Sequence, residues 1–387
     1  MTTKNNIPAG YKDSAVGIIP QEWEVSTLGK LVSITSGESP SLFNLRVIGK
    51  YPYIKVEDMN NCEKYQILSR EYTDDERCAI QKGSIIFPKR GAAITNNKVR
   101  IVACPVYMDS NMMAITPNDL VCGDYLYFKI TYEQLFKIAD TSTIPQINNK
   151  HIIPYKICLP PMEEQRKIAE ILGVWDEAIE KQSRLIERLE LRKRALMQRL
   201  LTGRTRLPGF TTPWQKVKLG EIAQIKKGKS LTSNDVKCGS YPVIAGGKES
   251  PYSHSEYTDE KVITVSASGA YAGYISYHPH RIWASDCSVI KEIDATSSIL
   301  FLYNLLLYKQ DYIYFLQVGG AQPHVFPKDI ERIKLFCPPL PEQKAIAEVL
   351  TTADDEIATH RKKLDALRLQ KRGLMQQLLT GKTRVKI

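Results

Sequence analysis

No two of the eight cysteines in this 387-residue chain form a C-x-x-C pair. Cys62, Cys78, Cys104, Cys122, Cys158, Cys238, Cys287 and Cys337 are scattered. That argues against a zinc site or a disulfide framework and fits a reducing cytosol. Long apolar runs are also missing. The longest, Ile299 to Tyr308, is about half of a membrane span. Met1-Thr2-Thr3-Lys4-Asn5-Asn6 leads into no apolar stretch, so no signal peptide is expected and a cytoplasmic location is.

The signatures of catalysis are equally sparse. Lys227-Gly228-Lys229-Ser230 imitates the end of a P-loop, but Ala223 stands where the upstream glycine belongs. No glycine-rich cofactor fingerprint follows a strand. Amino-methyltransferases need Asn or Asp before Pro-Pro and an aromatic residue. Here Pro160-Pro161 precedes Met162, and Pro338-Pro339 precedes Leu340. Asp259-Glu260-Lys261 has the carboxylate-x-lysine form of a nuclease but lacks the upstream Pro-Asp, and reads as a loop before a strand. His278-Pro279-His280 has no third ligand nearby. The expectation is a chain with no catalytic site, no metal and no cofactor of its own.

What is present is positive charge and repetition. Fifty-three Lys and Arg against 42 Asp and Glu leave +11, which favours polyanions through counterion release. Leu159–Leu207 aligns without gaps to Cys337–Val385, a shift of 178, with about half of the positions identical. A weaker match precedes each copy: Trp23, Leu28-Gly29 and Gly37 recur as Trp214, Leu219-Gly220 and Gly228, at a shift of 191. The first half therefore carries about 13 extra residues, and the chain is two halves, each a globule followed by a long helix.

Each helix marks its own ends. Prolines open it, Glu163-Glu164 and Glu342 sit at its positive end, and Gly203 and Gly381 supply a left-handed stop. About 39 residues between these limits give about 58 Å of helix. The apolar period is 3.5, with seam residues Ile168, Leu172, Trp175, Ile179, Ile186, Leu189, Leu196 and Leu200. The second copy offers Ile346, Leu350, Ala353, Ile357, Leu364, Leu367, Leu374 and Leu378. Gln182 and Lys193 interrupt the first stripe, His360 and Lys371 the second. Such a stripe requires a partner helix, and the two copies are the obvious partners. A chain ordered globule–helix–globule–helix with pseudo-two-fold symmetry favours an antiparallel pair.

The globules, residues 24–158 and 216–336, read as short strands broken by Gly, Pro, Asn and Asp. Ser84–Phe87 and Lys261–Val265 are expected buried strands, each followed by a glycine turn at Gly91 or Gly269. Helices are expected over Gly123–Ile138 and Ser298–Phe315. The fold class is mixed α/β of the α+β kind. Similar helices flanking unlike globules suggest one scaffold with two specificities. A 58 Å helix matches about 17 base pairs of duplex. Candidate DNA contacts lie in the turns: Lys89, Arg90, Asn96, Asn97 and Lys98 in the first globule, and Lys248, Ser266, Ser268, Tyr271, Tyr274, His278 and His324 in the second. Arg suits guanine, Asn suits adenine, and Lys or Ser suits phosphate. His324, whose counterpart is Gln146, suits a turn as well as a DNA contact.

Tyr11-Lys12-Asp13-Ser14, Gly17, Ile19-Pro20 and Trp23 resemble the N-terminal opening of type I restriction-modification specificity subunits. Leu159-Pro160-Pro161 through Glu164-Gln165, with its second copy through Glu342-Gln343, resembles the start of that family's helices. Leu201-Thr202-Gly203-Arg204-Thr205-Arg206-Leu207-Pro208-Gly209-Phe210 resembles its link between halves. The likeness spans nearly the whole chain. It implies a target-recognition domain over 1–158, a helical spacer over 159–203, a second recognition domain over 204–336, a second spacer over 337–381 and a tail over 382–387. It further implies double-stranded DNA as ligand, with each recognition domain reading half of a bipartite, asymmetric site. Two modification subunits carrying S-adenosylmethionine and restriction subunits using ATP and Mg²⁺ are the implied protein partners, with no membrane. Two other readings stay open: the specificity subunit of a related type II methyltransferase-nuclease, and a coiled-coil adaptor that binds proteins without reading bases. A third, a nuclease using Asp259 and Lys261, is the weakest.

Overall fold

Two helices dominate the computed structural model, which describes residues 7–77, 79–232, 237–247, 252–294 and 296–387. They run Met162–Leu200 and Leu340–Leu379. Both begin directly after the Pro-Pro pairs, whose carbonyls take the first free amides: Gln165 N–H donates to Pro161, and Gln343 N–H to Pro339. Both end on a glycine in the left-handed region, Gly203 at φ 69° and Gly381 at φ 72°. Gly381 has a second reason to be glycine, since a Cβ there would lie 2.4 Å from Pro20 Cδ.

The chain divides into two compact units. Unit 1 comprises Met1–Ser183 with Lys363–Ile387, and unit 2 comprises Arg184–Lys362. Each unit holds a stretch of both long helices. In unit 1, Ile168, Ala169 and Leu172 from the start of the first helix share a core with Met375, Leu378 and Leu379 from the end of the second. In unit 2, Leu200 and Leu201 from the end of the first share a core with Ile346, Ala347 and Leu350 from the start of the second. Within each unit the helices are therefore antiparallel. Ion pairs follow the same order. Within unit 2, Glu190 pairs with Arg361, Arg192 with Glu356 and Lys193 with Asp354, so partner numbers fall as residue numbers rise.

The globular part of each unit is built on one plan. A short pairing closes it next to the helix: Glu24–Thr27 with Lys156–Leu159 in unit 1, and Gln215–Lys218 with Lys334–Cys337 in unit 2, both antiparallel. The main sheet of unit 1 orders its strands Val32–Ser36, Met112–Pro117, Ile85–Pro88, Arg100–Val102 and Tyr65–Gln66. That of unit 2 orders Ala223–Lys227, Cys287–Glu292, Val262–Ser266 and Ile275–His278. Their registers correspond, Ile115 facing Ile85 where Ile290 faces Ile263, at a shift of 178 on one strand and 175 on its neighbour. A three-stranded sheet with one parallel pairing accompanies each: Tyr107–Met108 beside Tyr51–Ile54, and Trp283–Ala284 beside Tyr241–Ile244.

Central strands are buried on both faces: the three-stranded sheet packs on one and helices cover the other. Tyr125, Leu126 and Phe128 pack on the unit 1 sheet, and Phe301, Leu302 and Leu305 on that of unit 2. The expected helix over Gly123–Ile138 is two pieces, Gly123–Glu133 and Leu135–Ile138, split where Gln134 turns to φ 66°. Ser298–Phe315 likewise splits into Ile299–Tyr308 and Gln310–Phe315. The 13 extra residues of the first half fall between paired strands that match in both units, in the stretch after Gly37.

Candidate functional site

In unit 1 the strand Ile85–Pro88 delivers the chain to Lys89, Arg90 and Gly91. Lys89 N–H donates to Asn111 O, Gly91 N–H to Pro145 O and Ile147 N–H to Lys89 O. Arg90 is thereby bridged to Gln146 through backbone, with its side chain exposed. Burial, and then Arg90 alongside, lowers the half-buried Lys89 ammonium below the ordinary lysine value. Asn96 is exposed and Lys98 half-buried. Asn97 is occupied: at φ 50° its Nδ2 donates to Thr131 O at 2.8 Å and its Oδ1 accepts Leu135 N–H at 2.9 Å. Both ends of its amide thus already bond to the fold, with one N–H and one oxygen lone pair left over.

Unit 2 repeats this geometry at a shift of 178, except that Asp286 stands 175 residues after its counterpart Asn111. Ala267 N–H donates to Asp286 O, Gly269 N–H to Pro323 O and Val325 N–H to Ala267 O. Ser268 is bridged to His324 as Arg90 is to Gln146. Gly91 and Gly269 share φ 78°. The backbone is one template; the side chains on it differ. The half-buried Ser268 donates its hydroxyl to the Asp286 carboxylate. Tyr271 is exposed and Tyr274 half-buried. Ser266, which is buried, lines a small cavity with Tyr274 and His278. His278 Nε2 lies 2.8 Å from Thr264 Oγ1, and burial pushes the imidazole down to about 4, so it is neutral near pH 7. Lys248 lies outside the described residues.

Asp259 is buried and takes Lys226 at 2.8 Å and Lys291 at 2.9 Å. Burial alone would raise its carboxyl, but the two ammonium groups outweigh that and hold it below the ordinary carboxylate value. Lys261 is exposed at the strand's edge at φ 51°. The carboxylate of the nuclease-like triplet is thus tied to other lysines. Among the described residues, no group of three or more His, Cys, Asp or Glu can hold a metal. Nor is any helix among them long and apolar enough to cross a membrane.

The seam residues are all buried or half-buried. Ile168, Leu172, Ile186, Leu189, Leu200, Ile346, Leu350, Ala353, Ile357, Leu364 and Leu378 are buried, while Trp175, Ile179, Leu196, Leu367 and Leu374 are half-buried. The polar interruptions acquire a role. Lys371 pairs with Asp176 in unit 1, and Lys193 with Asp354 in unit 2. These are the same two positions of the repeat, crossed. A partly buried charge satisfied in one register only penalises slippage of the seam.

Sequence reasoning placed Glu164 and Glu342 at helix starts for their charge alone. Both are fully buried, at 0% exposure. Glu164 accepts Trp23 Nε1 at 2.9 Å, Arg384 Nε at 2.7 Å and Arg384 Nη2 at 2.9 Å. Glu342 accepts Trp214 Nε1 at 3.1 Å, Arg206 Nε at 2.6 Å and Arg206 Nη2 at 2.7 Å. The adjacent glutamines are structural too: Gln165 accepts Cys122 N–H, and Gln343 accepts Ser298 N–H. Arg384 in the last residues of the chain and Arg206 in the link between halves thus do one job. The signal was legible: Thr202-Gly203-Arg204-Thr205-Arg206 recurs as Thr380-Gly381-Lys382-Thr383-Arg384.

The sequence profile of the type I restriction modification DNA specificity domain matches this chain twice, over residues 20–191 and 211–369. The chain belongs to that family. Each match opens just ahead of a tryptophan of these Trp–Glu–Arg clasps, Trp23 or Trp214, and contains one of the two globules. Among curated relatives, the MjaVIII specificity subunit of a type I restriction enzyme from Methanocaldococcus jannaschii is 26% identical, covering 95% of this chain and 94% of its own length. The putative MjaX specificity subunit of the same organism is 28% identical over 97% of each chain. Among solved structures, the S subunit of a type I restriction-modification system from M. genitalium shares the fold at TM-score 0.62, with 19% identity and 98% coverage of both chains. A second structure, from a study of assembly and conformational transition of the type I system, aligns at TM-score 0.60. As a specificity subunit, this chain is the DNA sequence-recognition component of a type I restriction-modification system.

Proposed function

We propose that each unit reads one half of a bipartite, asymmetric DNA site, that the paired helices fix the spacing between the halves, and that modification subunits dock on this scaffold. One observation carries the reading. The two units share a backbone template down to individual hydrogen bonds, yet equivalent positions carry unlike chemistry: Arg90 and Gln146 in one, Ser268 and His324 in the other. A common frame with different donors and acceptors is what two different base sequences require. The excess of 53 basic over 42 acidic residues supplies the sequence-independent attraction to the phosphates.

The partners follow from the subunit's class. Two modification subunits bring S-adenosylmethionine and methylate an adenine in each half-site, turned out of the duplex. Restriction subunits bring ATP and Mg²⁺ for translocation and cleavage. The chain itself supplies recognition and works inside the cell with its partners. Exchanging residues 24–158 for the corresponding domain of another specificity subunit tests the division of labour. Methylation by the assembled complex should then change in one half of the recognised sequence and keep the other. A change in both halves, or in neither, contradicts it.

A further inference from the structure

We propose that Asp286 is a specificity-determining residue of unit 2, accepting a hydrogen bond from the exocyclic amino group of a cytosine or adenine in the half-site that unit reads. The proposal rests on the reading of unit 2 as one of two base-reading domains, and names the chemistry by which it selects.

A cavity of about 300 Å³ opens beside the Ser268–His324 bridge, lined by Lys227, Ser268, Asp286, Ser288, His324 and Phe326. Ser288 is 0% exposed, and its Oγ finds no hydrogen-bond partner. An orphaned buried hydroxyl marks a place where a ligand atom or a water belongs. Asp286 is half-buried, and among the described residues its carboxylate takes one hydrogen bond, from Ser268. None of the ion pairs among them includes it. Lys227 is exposed. His324 and Phe326 lie nearly parallel, 16° apart with centroids at 6.1 Å, and give the mouth a flat aromatic wall.

A carboxylate only accepts. Facing DNA it is repelled by phosphates, and guanine O6 and N7 or thymine O4 offer it more acceptors. What it can bind in the major groove is the N4 amino group of cytosine or the N6 amino group of adenine. Ser268 fixes the carboxylate from one side and leaves the other for the base. Lys227 at the rim supplies the positive charge that lets a phosphate come near.

Unit 1 carries different side chains at the equivalent positions. The registers place Met113 where unit 2 has Ser288, since Met113 faces Phe87 and Ser288 faces Val265. Asn111 stands for Asp286 and Arg90 for Ser268. Met113 is large and buried, while Asn111 turns its amide to Asp109 at 2.8 Å. In unit 2 small Ser288 and the Asp286 carboxylate stand at these positions and line the cavity.

The test uses the full chain assembled with its modification subunits, methylating duplexes in which each position of the second half-site is varied in turn. The unaltered complex should demand cytosine or adenine at one position, and which of the two is read directly. Asp286→Asn should relax that position about tenfold and leave the first half-site untouched. Ser268→Ala, which removes the bond aiming the carboxylate, should relax the same position to a smaller extent. Unchanged preference at every position in both variants overturns the proposal. So does a uniform loss over all sequences, which would make Asp286 structural. If instead the relaxed position lies in the half that follows residues 24–158 on exchange, the Asp286 contact stands and the division between units falls.

Discussion

Replacing Arg384 by alanine should destabilise unit 1 far more than the loss of one partly exposed side chain would suggest. The Glu164 carboxylate is 0% exposed and held by three hydrogen bonds, two of them from Arg384 at 2.7 and 2.9 Å. Arg384→Ala leaves that charge buried with only the Trp23 indole, at 2.9 Å. Stranding one member of a buried pair costs about 3–5 kcal/mol. The Arg384 side chain is 34% exposed, so water can enter the gap and the lower figure applies. In a unit of this size, about 3 kcal/mol corresponds to a fall in Tm of about 6–12 °C. Calorimetry on the full chain measures it. Glu164→Gln in the same background keeps the Trp23 bond without a stranded charge, so the double variant should recover much of the loss. An Arg384→Ala protein melting within about 1 °C of the parent would refute the clasp as a source of stability.

Leu189→Ala, at a buried seam position with 7% exposure, should cost about 2–5 kcal/mol. Leu367→Ala, half-buried, should cost less; equal stability of both variants and the parent in urea titrations would count against the seam. A third prediction concerns acid. His278 in the folded chain titrates at about 4, below its ordinary 6.5, so above pH 6.5 it contributes nothing. As pH falls from 6.5 toward 4, the unfolded chain takes up a proton that the folded chain refuses, and stability drops, by about 2 kcal/mol allowing for the ring's partial exposure. His278→Gln should flatten the denaturant midpoint across that window; an unaltered slope would mean that other groups govern it.

The helices were legible because repetition and a 3.5-residue period are local signals, and because Pro-Pro and Gly announce the ends. Their antiparallel sense followed from chain order. The strand closing each globule was not legible: Glu24–Thr27 pairs with Lys156–Leu159 across more than 100 residues, and nothing in either tetrapeptide names the other. Asn97 also makes contacts that its loop position did not announce: its left-handed backbone and its two amide bonds, to Thr131 and Leu135, depend on residues more than 30 positions away. Asp286 escaped notice because a lone Asp between Ser285 and Cys287 has no pattern; only the sheet register places it at the mouth of a cavity. Glu164 and Glu342 were found but assigned to the helix dipole, since an identical partner arginine sat far away in each case.

The claim beneath all of this is that one chain carries two unlike readers on one scaffold. Mapping methylated adenines genome-wide, with and without its gene, tests that most directly. The account predicts that deletion erases methylation at a single asymmetric motif made of two specified parts separated by unspecified bases. Loss at one continuous or palindromic motif, or no loss at all, would contradict it.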